Sequence, residues 1–325
     1  MRGEEFKDDF RRALPKELVQ ELTQRSAWRA SAAVLEDFAV LGASIGIALA
    51  YWPNPLIVLL SVVLTGTRQH ALFILAHDAA HYLLYRDRSL NDAVGRLCAL
   101  LPGLSMCTYR VIHRLHHNNL YGELDPDTAL HGGYPRGRVY LLKKLLKDLS
   151  GLTAWKTYAY FLGGAPALNT QTHQALRPLD DTSAKLRAEA RSDRNLVIGF
   201  HALLLIAFAA SGYLVQYLVL WVLPLVTVVQ AILRLRAIAE HGATTDYSSP
   251  LTAARTNLGP AWLRWLVFPH HVNYHIEHHL YASVPMYNLP RLHAEMRRHG
   301  LLAGAEVVPF PATLGKIFAE KPSPA

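Results

Sequence analysis

The run Leu41-Gly42-Ala43-Ser44-Ile45-Gly46-Ile47-Ala48-Leu49-Ala50-Tyr51-Trp52-Pro53-Asn54-Pro55-Leu56-Ile57-Val58-Leu59-Leu60 is apolar on both sides of a single interruption. It sits inside a longer stretch, Ala30 to Thr67, that contains no Lys or Arg and only two acids, Glu36 and Asp37. Two prolines two residues apart stop a helix. The flanking apolar segments are each about 20 residues, the length a bilayer's hydrocarbon core requires. The reading is a helical hairpin with transmembrane spans at 33–52 and 56–76, and with Tyr51 and Trp52 in the interfacial aromatic belt. A buried hairpin of a soluble protein is the alternative, and recurrence of the pattern argues against it.

The pattern recurs at Asn195 to Leu233, again without Lys or Arg and broken once, at Ser211-Gly212-Tyr213. It gives spans at 196–210 and 214–233. Both hairpin turns lack basic residues, whereas Arg25, Arg29, Arg68, Arg187, Arg191, Arg194, Arg234 and Arg236 flank the other ends. The positive-inside rule therefore places both termini, the middle segment and the site discussed below in the cytoplasm. Bulk composition agrees. The 325 residues are 51% hydrophobic and only 18% charged, below the quarter or so usual for soluble domains. A net charge of +8 suits anionic headgroups. No nucleic-acid-binding motif is present, so nucleic acid is not an expected partner. No signal peptide is recognisable. Cys98 and Cys107, the two cysteines, form no CxxC pair and suggest no disulfide, thiolate-zinc or iron–sulfur site.

The fold class is therefore all-α and integral membrane: four transmembrane helices in two hairpins under a cytoplasmic helical cap, in one domain over residues 1–325. Residues 1–32 are an N-terminal amphipathic segment, with Phe6, Phe10, Leu14, Leu18 and Leu22 on one face and Pro15 positioned to kink or split the helix. Residues 77–195 and 234–308 form the cap. Within it, Leu97–Cys107 is apolar but too short to span and reads as a re-entrant or interfacial helix. Arg136–Gly151 reads as a basic amphipathic helix, either on the membrane surface or packed on the cap. Arg177–Arg194 reads as a solvated connector and 309–325 as a flexible tail.

Histidine is the anomaly, with 17 in the chain. His77 and His81 are an i, i+4 pair at the end of the second span. His113, His116 and His117 follow at i, i+3, i+4, and so do His275, His278 and His279. On a helix those offsets share one face. His241 stands alone just past the fourth span. Calcium and magnesium want oxygen ligands, and a structural zinc takes four ligands, usually with thiolates. Eight or nine imidazoles suit two transition metals. Ligating imidazoles usually donate their other ring nitrogen to a carboxylate, so Asp78, Glu240, Glu277, Asp125 and Asp127 are candidate partners. The plain alternatives are a cap or surface salt bridge and, for Asp125 and Asp127, a turn.

These residues resemble the integral-membrane fatty acid desaturases and hydroxylases, which carry three histidine boxes: HxxxH or HxxxxH, then HxxHH, then HxxHH. His77/His81, His113/His116/His117 and His275/His278/His279 match them in order, with the hairpins between, over about 30–299. The resemblance implies two non-haem irons held by the boxes and one further histidine. His241 sits where that ligand is expected, with His271 as its rival. It also implies O2 as co-substrate and a fatty-acyl or lipid substrate drawn from the membrane. The third box begins with His275, where front-end desaturases have Gln. No His-Pro-Gly-Gly motif is present, so electrons are expected from a separate ferredoxin-, rubredoxin- or cytochrome b5-type donor.

Breaking an unactivated C–H bond demands an oxidant beyond any side chain, so a metal must carry it. Loss of a second hydrogen gives a double bond, the leading expectation; oxygen rebound gives the hydroxylase or ketolase alternative on the same scaffold. A small amine or amino-acid substrate and a non-catalytic haem- or metal-binding membrane protein are further readings. His70 shares the face of His77 and His81 two turns deeper, as a tunnel-lining or interior residue. Arg68 and Gln69 beside it need partners at that depth. His201 reads as an interior hydrogen-bonding residue; His131, His173, His293 and His299 read as surface residues.

Overall fold

The structure is a computed structural model and describes residues 13–170 and 172–320. It is predominantly helical, with four strands of two or three residues among the described residues. Four helices are long and apolar enough to cross a membrane: α2 (Ala27–Ala50), α3 (Pro55–Ala80), α8 (Ala184–Ala210) and α9 (Leu214–His241). Around them are α1 (Lys16–Leu22), α4 (Arg88–Leu100), α5 (Met106–Asn118), α6 (Arg138–Leu149), α7 (Ala154–Phe161), α10 (Ala261–Val267), α11 (His275–Leu280), α12 (Leu289–Arg298) and α13 (Phe310–Ile317). Strands β1 (Ala167–Leu168) and β2 (Ala175–Leu176) pair antiparallel; β3 (Thr256–Leu258) and β4 (Val307–Pro309) pair parallel, Thr256 opposite Val307.

The first apolar run folds as its punctuation dictates. Ser26 caps α2, accepting from the Arg29 amide, and the helix ends at the aromatic turn. Asn54 then caps α3, its Oδ1 accepting from Leu56 N at 3.1 Å and Ile57 N at 3.2 Å, with Pro55 opening the helix. On α2 the buried residues Asp37, Leu41, Ser44 and Ala48 make a helical stripe facing α3, and Ser44 Oγ meets Ser61 Oγ at 3.0 Å. The opposite face exposes Leu35 and Ile47, as lipid contact requires. The four spans are not equivalent. In α3, 67% of the most apolar stretch is buried, against 11% in α8. Gly66 explains the close approach of α9: a Cβ there would lie 2.5 Å from Val228 Cβ.

Several expectations need correction. The helices begin or continue beyond the apolar spans, because polar turns extend them. Residues 184–194, expected in a connector, are the start of α8, capped by Ser183. The fourth long helix continues to His241, through a π-helical turn at Leu218–Val222 and a break at Thr227. Leu97–Cys107 is not one re-entrant helix. Pro102 and Gly103 (φ +86°) separate α4 from α5, which Ser105 caps. Residues 310–317, expected within a flexible tail, are a helix: Pro311 lies in the first turn of α13, and Phe310, Thr313 and Ile317 are buried, while 321–325 lie outside the described residues. In the N-terminal segment, Phe6 and Phe10 lie outside the described residues. Ala13 is helical, Leu14 and Pro15 interrupt the run, and α1 starts after Pro15, so the helix is split there; Leu14 and Leu22 pack with Ile276, Leu280 and Leu292. α6 spans Arg138–Leu149 with Leu141 buried and Val139, Leu142, Leu146 and Leu149 exposed.

Candidate metal centre

The ends of α3 and α9 and the short helices α5 and α11 bring the histidines together. His77, His81, His113, His117 and His278 form one group, and His116, His241, His275 and His279 form another. Within each group every residue offers a ring nitrogen within 4.8 Å of the others. The groups adjoin: the His117 and His279 rings stack at 4.3 Å between centroids. The HxxHH spacing does this work. On α5 it sends His113 and His117 to the first group and His116 to the second. On α11 it sends His278 to the first, and His275 and His279 to the second. His271 belongs to neither; it ends a 3-10 turn at φ +61°.

The donor set fits metal ions. In the five-histidine group, Nε2 of His77, His81, His113 and His278 is buried with no hydrogen-bond partner among the described residues. An unpartnered buried polar atom is costly, and here four point at one spot. In the four-histidine group His241 Nε2 lies 3.2 Å from His116 Nε2 and 2.7 Å from His275 Nε2, and His279 Nε2 lies 3.2 Å from His275 Nε2. Converging lone pairs are what a cation would separate. Burial drives His113, His117, His275, His278 and His279 well below the usual histidine pKa, and neighbouring imidazoles add to the effect. Burial pulls His81 down to about 4. Those rings are neutral and keep a lone pair for a metal. His116 moves the other way: burial lowers it, but the charge and hydrogen bond of Asp125 lift it above the usual value.

The acids behave differently from one another. Asp125, fully buried, takes His116 Nδ1 at 3.0 Å and accepts from the amides of Tyr121 at 2.8 Å and Asp127 at 3.0 Å. Asp127 lies 3.9 Å from His116 Nδ1 and accepts from Tyr160 Oη at 3.0 Å. Their Asp-Pro-Asp stretch is a turn, and it also buttresses an imidazole. Asp78 Oδ1 lies 3.4 Å from His77 Nδ1 while its Oδ2 accepts from Met286 N at 3.0 Å. Glu240 is held by Arg236 Nη1 at 2.8 and 2.7 Å and reaches to 3.8 Å from His275 Nε2. Glu277 turns away from the centre, accepting from Thr256 Oγ1 at 2.6 Å and bonding His293 Nδ1 at 2.5 Å.

Two expected surface residues are not on the surface. His293 backs Glu277. His131 is buried beside the four-histidine group, its ring 4.7 Å from that of His241, because the turn at Asp125–Asp127 folds the chain back. His173 and His299 are exposed, and His201 Nε2 donates to Leu100 O at 2.9 Å. Arg68 bonds Asp37 at 3.1 Å and the Trp265 carbonyl, and Gln69 donates to Trp221 O at 3.0 Å. His70 is fully buried, with neither ring nitrogen partnered among the described residues.

Sequence reasoning missed the backbone clamp behind His241. Arg255, fully buried, donates to Ala239 O and Gly242 O at 3.0 Å and to Ala243 O at 2.8 Å, and pairs with Glu306 at 3.1 Å. Asn257 Nδ2 adds a bond to Ala239 O at 3.1 Å. Nothing local in the sequence marks Arg255. The i, i+4 spacing of Arg236 and Glu240 was a legible signal.

A cavity of about 860 Å³ opens beside the centre. His81, His113, His117 and His279 line it, with Met106, Val111 and Leu280 among its apolar walls and Arg114 among its polar ones.

The family model for fatty acid desaturases matches residues 53–310. Among curated proteins, the dihydrorhizobitoxine desaturase of Bradyrhizobium elkanii is 25% identical over 267 residues, covering 79% of this chain and 72% of its own. A chloroplastic omega-3 fatty acid desaturase of Glycine max is 26% identical over 303 residues, 86% of this chain and 62% of its own, so the chain spans less than two thirds of that relative. The sn-1 oleoyl-lipid 12-desaturase of Picosynechococcus is 25% identical over 311 residues, 90% and 82% respectively. With its four apolar helices and two histidine groups, the chain belongs to the fatty acid desaturase family.

Proposed function

We propose that the protein is an O2-dependent membrane desaturase that introduces a double bond into a fatty-acyl or lipid chain. The observation that carries the reading is the sorting of nine imidazoles, eight from buried residues and one from the half-buried His81, into two adjoining groups. His77, His81, His113, His117 and His278 would hold one iron; His116, His241, His275 and His279 would hold the other. When bound, the irons supply the oxidising power for C–H cleavage. The protein fixes their positions. Asp125 orients His116, the Ala253 carbonyl orients His241 through Nδ1 at 3.1 Å, and burial keeps His113, His117, His275, His278 and His279 neutral. The cavity at His81, His113 and His117 is where the reacting carbons would reach the centre. The balance is R–CH2–CH2–R′ + O2 + two electrons + two protons giving R–CH=CH–R′ + two waters.

The electrons come from a separate protein. A relative named as a ferredoxin-type sn-2 acyl-lipid omega-3 desaturase supports an iron–sulfur donor. The basic flanks of the spans support a cytoplasmic centre. The test is metal analysis of purified protein, then mass spectrometry of lipids from cells expressing it. About two irons per chain and products lighter by two hydrogens are expected. Products heavier by one oxygen would assign a hydroxylase; a haem band, or zinc alone without O2 uptake, would end the oxidase reading. A relative named for dihydrorhizobitoxine makes defined non-acyl substrates a necessary arm.

A further inference from the structure

A second cavity, of about 550 Å³, lies on the flank where α2 begins, between α2, α10 and the turn after it. Its walls include Arg29, Glu36, Arg68, Arg264, Trp265 and Met286. Arg68 is paired with Asp37, which also takes His270 Nε2 at 2.7 Å, and Glu36 accepts from Trp265 Nε1 at 2.7 Å. Arg29 and Arg264 differ. Arg29 reaches Asn288 Oδ1 at 3.2 Å and lies over the Tyr287 ring, and neither arginine has a carboxylate partner among the described residues. Arg264 Nε is buried without a hydrogen-bond partner. Three guanidiniums against the carboxylates of Glu36 and Asp37 leave the recess with a net charge of about +1 before His270 is counted.

Its depth is marked by tryptophans. Trp28 is 77% exposed and Trp262 64% exposed, one at the start of α2 and one on α10, as interfacial anchors are. An unpaired arginine pair at headgroup depth recognises phosphate through charge-assisted bonds. One wall residue of the recess is tied to the neighbour of a box histidine. Met286 lines the recess, and the Met286 amide is held by Asp78, the residue next to His77.

We propose that this recess binds the phosphate of a membrane glycerophospholipid and places an acyl chain of that lipid toward the metal centre; the placement, though not the binding, rests on the desaturase reading. The probes are phosphatidylglycerol, a phosphate-free galactolipid with the same acyl chains, and inorganic phosphate. Lipid bound to the purified protein in detergent is measured by native mass spectrometry. Wild type and a K143Q/K144Q control should retain phosphatidylglycerol. R29Q should weaken it by about tenfold and R29Q/R264Q by more, at unchanged iron content. Galactolipid binding should not respond to either variant, and R29K should recover most of the loss. Undiminished phosphatidylglycerol binding in R29Q/R264Q overturns the site. Inorganic phosphate that binds as tightly as the lipid also overturns it, in favour of a free-phosphate site. In turnover, the variants should raise KM for phosphatidylglycerol and leave kcat in place. An equal loss on galactolipid would make the arginines structural. Wild type that binds phosphatidylglycerol but desaturates no acyl lipid would remove the desaturase reading and leave the binding site intact.

Discussion

The two histidine groups of the candidate metal centre use the same side chain and differ in what stands behind it. The four-histidine half is braced. Asp125 backs His116, the Arg236–Glu240 pair stands beside His275, and Arg255 with Asn257 clamps the backbone on either side of His241. The five-histidine half has Asp78 at 3.4 Å behind His77, and three of its rings line the 860 Å³ cavity, against one ring of the braced half. Holding a ligand and admitting a substrate are opposed demands, since access requires an open side. This fold divides the two demands between the halves.

The comparison can be broken at several points. His278→Ala and His275→Ala each remove one of the proposed ligands, from the open and braced halves respectively. Both should abolish turnover and lower iron from two per chain towards one by plasma mass spectrometry, a larger loss than the about 10–100-fold that removing an outer partner costs. Full activity in either variant would refute the assignment. Glu306→Ala leaves Arg255 buried without its carboxylate, so unfolding should become easier by about 3–5 kcal/mol in thermal or denaturant melts. Asp125→Asn should weaken metal retention against a chelator by about 10–100-fold, whereas Asp78→Asn, behind the open half, should cost less than about tenfold. Equal losses would erase the distinction. His131→Phe should be the mildest change. Both ring nitrogens of His131 lack partners among the described residues, so an apolar ring of similar size should keep iron content and activity within about twofold. A large loss would mean that the His131 nitrogens serve the braced half.

Much of the centre could be read from the chain because it is periodic. HxxxH and HxxHH put rings on one helix face whatever surrounds the helix, and 20-residue apolar runs report the bilayer directly. The bracing could not be read that way. Arg255 finds Glu306 through the parallel pairing of β3 and β4, and His131 enters the core because a turn reverses the chain. Neither contact has a local signature. Helix ends were misplaced for a related reason: hydropathy marks where a span leaves the bilayer, while capping residues such as Ser183 set where the helix begins. Proline misled after 309, because the same residue that ends one helix can open another.

The β3–β4 pairing also has a consequence in time. Thr256–Leu258 meets Val307–Pro309, and Glu306, one residue before that strand, completes the clamp behind His241. During synthesis the last box histidine, His279, emerges well before Val307 does. The braced half therefore reaches its final form only after all nine imidazoles exist. On the proposed assignment, metal loading into it should follow emergence of the β4 strand from the ribosome, so its maturation is a late event even though His116 is made early.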